Sequence, residues 1–203
     1  MSKPRREKDV APPVRTRRRG ALLEDALLDA AWEEVRAAGY ANLTMEGVAA
    51  RAGTSKGVLY RRWPYRAMLI LSAIRRQMPS MRREIPDTGD LREDVLIVMR
   101  EFRRRYEIIG PDIAHGLMSE LSDMPGDAWD VSPEVLTIVL ERAATRGEVR
   151  MEGISPRVVT LPLDLLRHAL MLSPAQLGAE SLAEIVDEIF LPLVRLSTAA
   201  ERS

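Results

Sequence analysis

The chain has 203 residues, no cysteine, two histidines, and a formal charge of zero made of 30 basic and 30 acidic side chains. That length can bury a real core as one large domain or two small ones. Without cysteine there can be no disulfide, thiolate redox chemistry or cysteine-ligated metal, and no apolar run reaches the roughly 18 residues of a membrane span. Ala, Leu, Arg and Glu dominate while aromatics make up 4%, which predicts an all-α protein. The zero charge conceals an asymmetry. Residues 1–66 hold 14 Lys+Arg against 8 Asp+Glu, and the rest of the chain 16 against 22, so a basic front suited to a polyanion precedes an acidic back.

Residues 1–19 carry eight basic residues and three prolines with almost nothing to bury. They read as a disordered arm, either a plain solvated tail or one whose Arg15, Arg17, Arg18 and Arg19 reach phosphates or a minor groove. The arm offers no apolar stretch of signal-peptide length, so a soluble cytoplasmic protein is expected. Leu22, Leu23, Ala26, Leu27, Ala30, Ala31 and Val35 then recur at helical spacing up to about Ala38, before Gly39. Thr44 is a good N-cap for a second helix from Met45 to about Ala52. Gly53 supplies a sharp turn, Thr54 caps a third helix over 55–62, and Pro64 ends it. A longer fourth helix is expected over 65–83. Pro86-Asp87-Thr88-Gly89 breaks the chain, and further helices are expected near 90–109, 112–122, 132–146, 156–172 and 180–197. Breaks are read at Gly110-Pro111, Met124-Pro125-Gly126, Gly147 with Gly153, and Ser173-Pro174. Pro162 and Pro192 fall inside helical patterns and predict bends or frayed ends. The whole is about nine helices.

From Gly47 to Arg83 there is no acidic residue, and two short helices around a tight turn lie inside that run. A helix-turn-helix with unopposed positive charge suits a DNA major groove. On a helical wheel Lys56, Gly57, Tyr60 and Arg61 span an arc of about 140°, with Val58, Leu59 and Trp63 on the other side. Thr54 and Ser55 sit where a helix N-terminus favours phosphate. Gly57 permits close backbone approach, Tyr60 can meet a phosphate or sugar, Arg61 can reach a guanine edge, and Arg62 can curl back to the phosphates. Trp63, directly before Pro64, reads as a core anchor that sets the helix angle.

The segments Leu27-Leu28-Asp29-Ala30-Ala31-Trp32, Gly39-Tyr40 and Thr44 through Pro64 together resemble the DNA-binding domain of the tetracycline-repressor (TetR) family, over roughly residues 20–70. After the disordered basic arm (1–19), the resemblance implies a three-helix DNA-binding domain (20–66) and a helical regulatory and dimerisation domain (67–203). It also implies an Ω-shaped homodimer whose third helices enter successive major grooves of a palindromic operator. Positions matching Thr44, Thr54, Ser55, Lys56, Gly57, Tyr60, Arg61 and Arg62 are the family's usual DNA contacts. Tyr65-Arg66 stands where the family commonly has Ser-Lys, with Arg66 keeping a charge near the DNA backbone.

Arg146-Gly147-Glu148-Val149-Arg150 resembles a turn common in one subgroup of the family, ahead of two helices that the family analogy makes the dimer interface. Leu182, Ile185, Val186, Ile189, Phe190 and Leu193 independently form a wide apolar surface on the last helix. A small apolar or amphipathic effector would lie among the helices of residues 90–172, with Met99, Phe102, Tyr106, Met118, Trp129, Ile138, Leu166 and His168 as candidate lining. No phosphate loop, nucleophile elbow or zinc-binding His pair occurs, and two histidines make a His-rich metal site improbable, so neither enzyme nor cofactor nor metal is expected. Two other readings stay open on the residues alone: a helical module whose basic face binds an acidic partner or membrane surface, and a helical enzyme. Effector, operator and the sign of regulation are not legible.

Overall fold

The computed structural model describes residues 20–78, 80–121, 133–172 and 177–199. The basic arm, Trp129 and the breaks read at 124–126 and 173–174 lie outside the described residues. Within them every regular element is helical: α1 (Ala21–Ala38), α2 (Met45–Ala52), α3 (Lys56–Tyr60), α4 (Arg66–Gln77), a 3-10 turn (Met81–Arg83), α5 (Leu91–Ile109), α6 (Pro111–Leu121), α7 (Pro133–Thr145) and α8 (Pro156–Leu172). A last rod follows, made of α9 (Ala179–Glu184), a π-helical stretch (Ile185–Phe190) and α10 (Leu191–Ala199).

Three elements differ from the sequence reading. The expected helix over 65–83 stops at Gln77. Met78 is extended, with φ −124° and ψ 105°, because a residue that precedes a proline is disfavoured in the helical region. α3 is shorter than 55–62, and Arg61 and Arg62 form a turn after it. Pro162 leaves α8 running through it, whereas Pro192 follows the π stretch. A regular helix would need the N–H that Pro192 lacks, and its ring would crowd the carbonyl of Glu188. The wider turn just ahead takes up both.

Two cores result. The first gathers Leu27, Ala31 and Val35 of α1, Val48 of α2, Leu59, Trp63, and Ala67, Ile70 and Ala73 of α4. It therefore runs past Arg66, where the sequence reading ended the first domain. It also takes Ile113 and Leu117 from α6. The second joins α5, α7, α8 and the last rod through Val95, Met99, Leu136, Leu140, Leu163, Leu166, Val186 and Phe190. α6 thus follows α5 in the chain but buries its apolar side in the first core.

The Arg146-Gly147-Glu148 turn has a structural task. Asp94 of α5 is fully buried. It accepts hydrogen bonds from the Thr88 N–H (2.7 Å) and hydroxyl (2.8 Å) and pairs with Arg146 at 3.3 Å. Arg146 also holds Asp87 and Glu148, each at 2.6 Å, and Glu148 accepts from the Leu91 N–H at 2.9 Å. Arg142 donates to the carbonyls of Ile85 and Pro86 at 2.9 and 3.0 Å. A buried carboxylate is tolerated only with such a full set of partners, so the turn pins the segment that joins the two cores.

Candidate nucleic-acid interface

The geometry of the helix pair follows from three residues. The Thr44 hydroxyl oxygen accepts from the Gly47 N–H at 3.0 Å and starts α2. Gly53 ends it in the left-handed region, at φ 64° and ψ 39°, with its N–H on the carbonyls of Ala49 and Ala50. A side chain would strain that conformation, and the reversal it makes sends α3 off at a sharp angle. The cap position of α3 is Ser55 and not Thr54, and the Ser55 side chain makes no capping bond. Thr54 is half-buried, its N–H spent on the Ala49 carbonyl at 2.9 Å.

Leu59 is buried beneath α3, and the Trp63 indole N–H donates to the Ser72 hydroxyl at 2.9 Å. These two fix the inner side. The outer side carries Ser55, Lys56, Gly57, Tyr60, Arg61 and Arg62, all exposed, with Tyr60 42% open despite its size. Beyond the local α3 backbone, no atom of the described residues lies within 4 Å of the place where a Gly57 side chain would begin. The Arg61 backbone N–H is spent on the Leu59 carbonyl, and its side chain makes no hydrogen bond or ion pair among the described residues.

The positive charge is less unopposed than the acid-free run suggests. Acids from elsewhere in the chain fold against it. Arg51 meets Glu34 at 2.7 Å, Arg62 meets Glu24 at 3.8 Å, and Arg76 meets Asp29 at 2.8 Å. The Arg76 guanidinium holds the Asp29 carboxyl below its ordinary range. Lys56 pairs directly with Glu46. The reason is packing: α1, rich in Glu and Asp, lies alongside α2 and α4, so charges separated in sequence become neighbours.

Arg66 is engaged within the chain. Its guanidinium turns to α6, donating to Glu120 at 2.7 Å and to the Leu43 carbonyl at 3.1 Å, and it lies 4.9 Å over the Tyr40 ring. Around it is a joint that the sequence reading missed. The Tyr40 N–H donates to Asp112 at 2.8 Å, and the ring rests on Gly116, where an added Cβ would stand 2.1 Å from it. The Tyr40 hydroxyl is buried without a hydrogen bond among the described residues. Burial first, and the Glu120 charge second, push its phenol well above the usual value. The four-residue spacing of Asp112, Gly116 and Glu120 was the signal that could have found this face.

The other candidate residues are scattered. Met99 and Leu166 are fully buried in the second core, and Phe102 and Tyr106 pack against it, the Tyr106 hydroxyl donating to the Leu170 carbonyl at 3.0 Å. Ile138 and Met118 are half-buried on α7 and α6, whereas His168 is exposed on α8. On the last rod Leu182, Val186 and Phe190 are buried inside the chain's own core, which corrects their reading as an outward dimer face. Ile185 packs against the same core, Leu193 is half-buried, and Ile189 is exposed. Among the described residues no group of carboxylates and histidines could hold a metal, and no helix is long and apolar enough to cross a membrane.

Residues 27–73 match the family "Bacterial regulatory proteins, tetR family", and residues 85–189 match "Tetracyclin repressor-like, C-terminal domain". A DNA-binding transcriptional repressor TetR of Mycobacteroides abscessus is 30% identical over 184 residues, covering 87% of this chain and 96% of that protein. Among solved structures, the TetR family transcription regulator SCO0332 superposes with a TM-score of 0.63 at 23% identity, over 85% of this chain and 98% of that one. FadR of Bacillus subtilis, solved in complex with stearoyl-CoA, does so with a TM-score of 0.52 at 15% identity, over 84% and 98%. With both halves matched and a relative covered almost end to end, the chain belongs to the TetR family: it is a DNA-binding transcriptional regulator and not an enzyme.

Proposed function

We propose that the chain acts in the cytoplasm as a homodimeric repressor, released from a palindromic operator by a small apolar or amphipathic effector. The observation that carries this is the two-sided α3, anchored beneath by Leu59 and Trp63 and exposed above at Lys56, Gly57, Tyr60 and Arg61. Arg61 is the base reader, since a free guanidinium can bridge a guanine edge. Tyr60, Ser55, Thr54 and Arg62 are the phosphate and sugar contacts. Thr44 joins them, because its oxygen serves the cap while its proton remains to donate. In a gel shift, DNA flanking the protein's own gene is expected to be retarded while a scrambled duplex is not, with affinity falling steeply as salt rises. Arg61→Ala is expected to cost roughly 1–3 kcal/mol and relax one base position. An unchanged preference in a binding-site selection with that variant would remove Arg61 from the reading.

A dimer is supported by α8. Val159, Pro162, Leu163, Leu166 and Leu170 are buried on one side, and helical spacing puts Leu161, Leu165, His168 and Leu172 in a stripe on the opposite side. Leu172 is 69% exposed, and Ile189 of the last rod is 39% exposed. Outward leucines in a row suit a second copy of the same surface. Leu172→Glu combined with Ile189→Glu is expected to halve the mass measured by light scattering and to abolish tight operator binding. A variant that keeps the dimer mass would move the interface elsewhere.

The effector reading rests on the second core, where Met99, Phe102, Tyr106 and Leu166 bring apolar, adaptable side chains together between α5 and α8. The same fold holds stearoyl-CoA in FadR. An effector that spreads these helices would act on the DNA-reading half through α6, which is rooted there by Ile113 and Leu117. Half-sites lie about 34–36 Å apart, so a small displacement prevents both α3 helices from docking together.

A further inference from the structure

One stripe of α5 meets the end of α8 and the segment leading into the last rod, and it is not wholly apolar. Met99, Phe102, Arg103 and Tyr106 recur at helical spacing and share that side. Met99 belongs to the second core, and Phe102 and Tyr106 pack against it. Arg103 stands among them. One of its terminal nitrogens donates to the Leu177 carbonyl at 3.1 Å, while the Tyr106 hydroxyl holds the Leu170 carbonyl of α8 at 3.0 Å. The Arg103 Nε is buried and makes no hydrogen bond. Every other arginine of α5 is met by a carboxylate within 2.8 Å: Arg92 by Asp187, Arg100 by Glu93, and Arg104 and Arg105 by Glu101. Arg103 pairs only with Glu107 among the described residues, at 3.5 Å and on a side chain 63% exposed. Water screens such a pair, and it leaves the Nε–H unbonded. A buried N–H without an acceptor costs stability, and holding one carbonyl does not require a full charge.

We propose that Arg103 is the anion-reading residue of the effector site, and that the effector is a small carboxylate carrying an apolar chain. This rests on the effector reading given above and deepens it. A guanidinium presents parallel N–H groups that match a carboxylate. The ligand's carboxylate takes the unbonded Nε–H together with a neighbouring terminal N–H. Its chain lies along Phe102, Tyr106 and Leu177, all half-buried. An uncharged head would gain little from the guanidinium, and a cation would be repelled by it. The seam is tied to α5 by the bonds to the Leu170 and Leu177 carbonyls. A carboxylate that draws the guanidinium toward itself loosens the tie at Leu177, so binding shifts the last rod against α5.

Decanoate and decanol share a chain length and differ at the head, and both can be titrated calorimetrically into the full chain at neutral pH. Decanoate is expected to bind roughly ten-fold tighter than decanol, the advantage of a charge-assisted pair over a neutral one. Arg103→Met keeps the bulk and removes the charge. It is expected to abolish the preference while binding decanol as before. Arg103→Lys keeps the charge without the planar fork, and its preference is expected to fall between the two. Equal binding of both probes by the unaltered protein, or a preference that survives Arg103→Met, overturns the proposal and leaves an uncharged effector in the same seam. Equal loss of both probes in Arg103→Met and Arg103→Lys also overturns it, because it marks the arginine as purely structural. If neither probe binds the unaltered protein, the seam is no effector site, and the effector reading falls together with the proposal.

Discussion

Gly116→Ala is expected to lower the stability of the protein by about 1–3 kcal/mol, the range for an added methyl in a packed interior. An alanine in a helix normally gains about 1 kcal/mol over glycine, so the sign is informative. The gain is overruled because the new Cβ would lie 2.1 Å from a ring carbon of Tyr40. The ring cannot step aside easily. Tyr40 is buried, its backbone N–H is tied to Asp112 at 2.8 Å, and Arg66 lies over the ring at 4.9 Å. α6 must back away from the DNA-reading half, opening the joint through which an effector would act. Chemical denaturation of the variant measures the loss, and in a Tyr40→Ala background, itself less stable, adding Gly116→Ala should cost little more. A variant as stable as the parent would mean that the joint is looser than the geometry indicates.

Gly57→Ala should move two measurements in opposite directions. Nothing in the protein needs a glycine there: its φ is not left-handed, and an added Cβ would meet open space. Alanine should therefore stabilise α3 by up to about 1 kcal/mol, chiefly by restricting the unfolded chain. On DNA the same methyl would stand between the α3 backbone and the duplex. A loss of roughly ten-fold or more in operator affinity is expected, comparable to overpacking at any tight interface. Melting temperature and binding measured on the same preparation separate the effects. A variant that melts higher and binds operator undiminished would show that the backbone at this point stays clear of the groove.

The first half of the chain was legible because its signals are local. Thr44 before an amphipathic turn, Gly53 between two short helices, and Trp63-Pro64 after the second each act on their neighbours in sequence. The outward side of α3 followed from helical spacing alone. What was lost was tertiary. The acid-free run looked unopposed because Glu24, Asp29, Glu34 and Glu46 stand before it in sequence, and only packing brings them alongside. Arg66 was read without its partner because Glu120 is 54 residues away. The fourth helix was read through Pro79, although a proline is itself the signal to stop. The last helix was assigned outward on apolarity, which cannot tell a face buried in the same chain from one buried in a second copy. On α8 the outward stripe, half-buried at Leu161 and Leu165 and exposed at His168 and Leu172, became visible only when the opposite side was seen to be filled.

The widened stretch from Ile185 to Phe190 bears on more than its proline. Leu182, Val186, Phe190 and Val194 recur every fourth residue and are all buried. In an ordinary helix such spacing wanders about 40° sideways at each step, carrying the fourth member well round toward solvent. A roomier coil between them rotates less per residue and cancels much of that wander, so one straight seam stays on the core. Rewound as an ordinary helix with all six residues kept, this stretch would swing everything downstream by about 100°, whereas removing a single residue as it rewinds would cancel that swing and leave the tail facing as it does now.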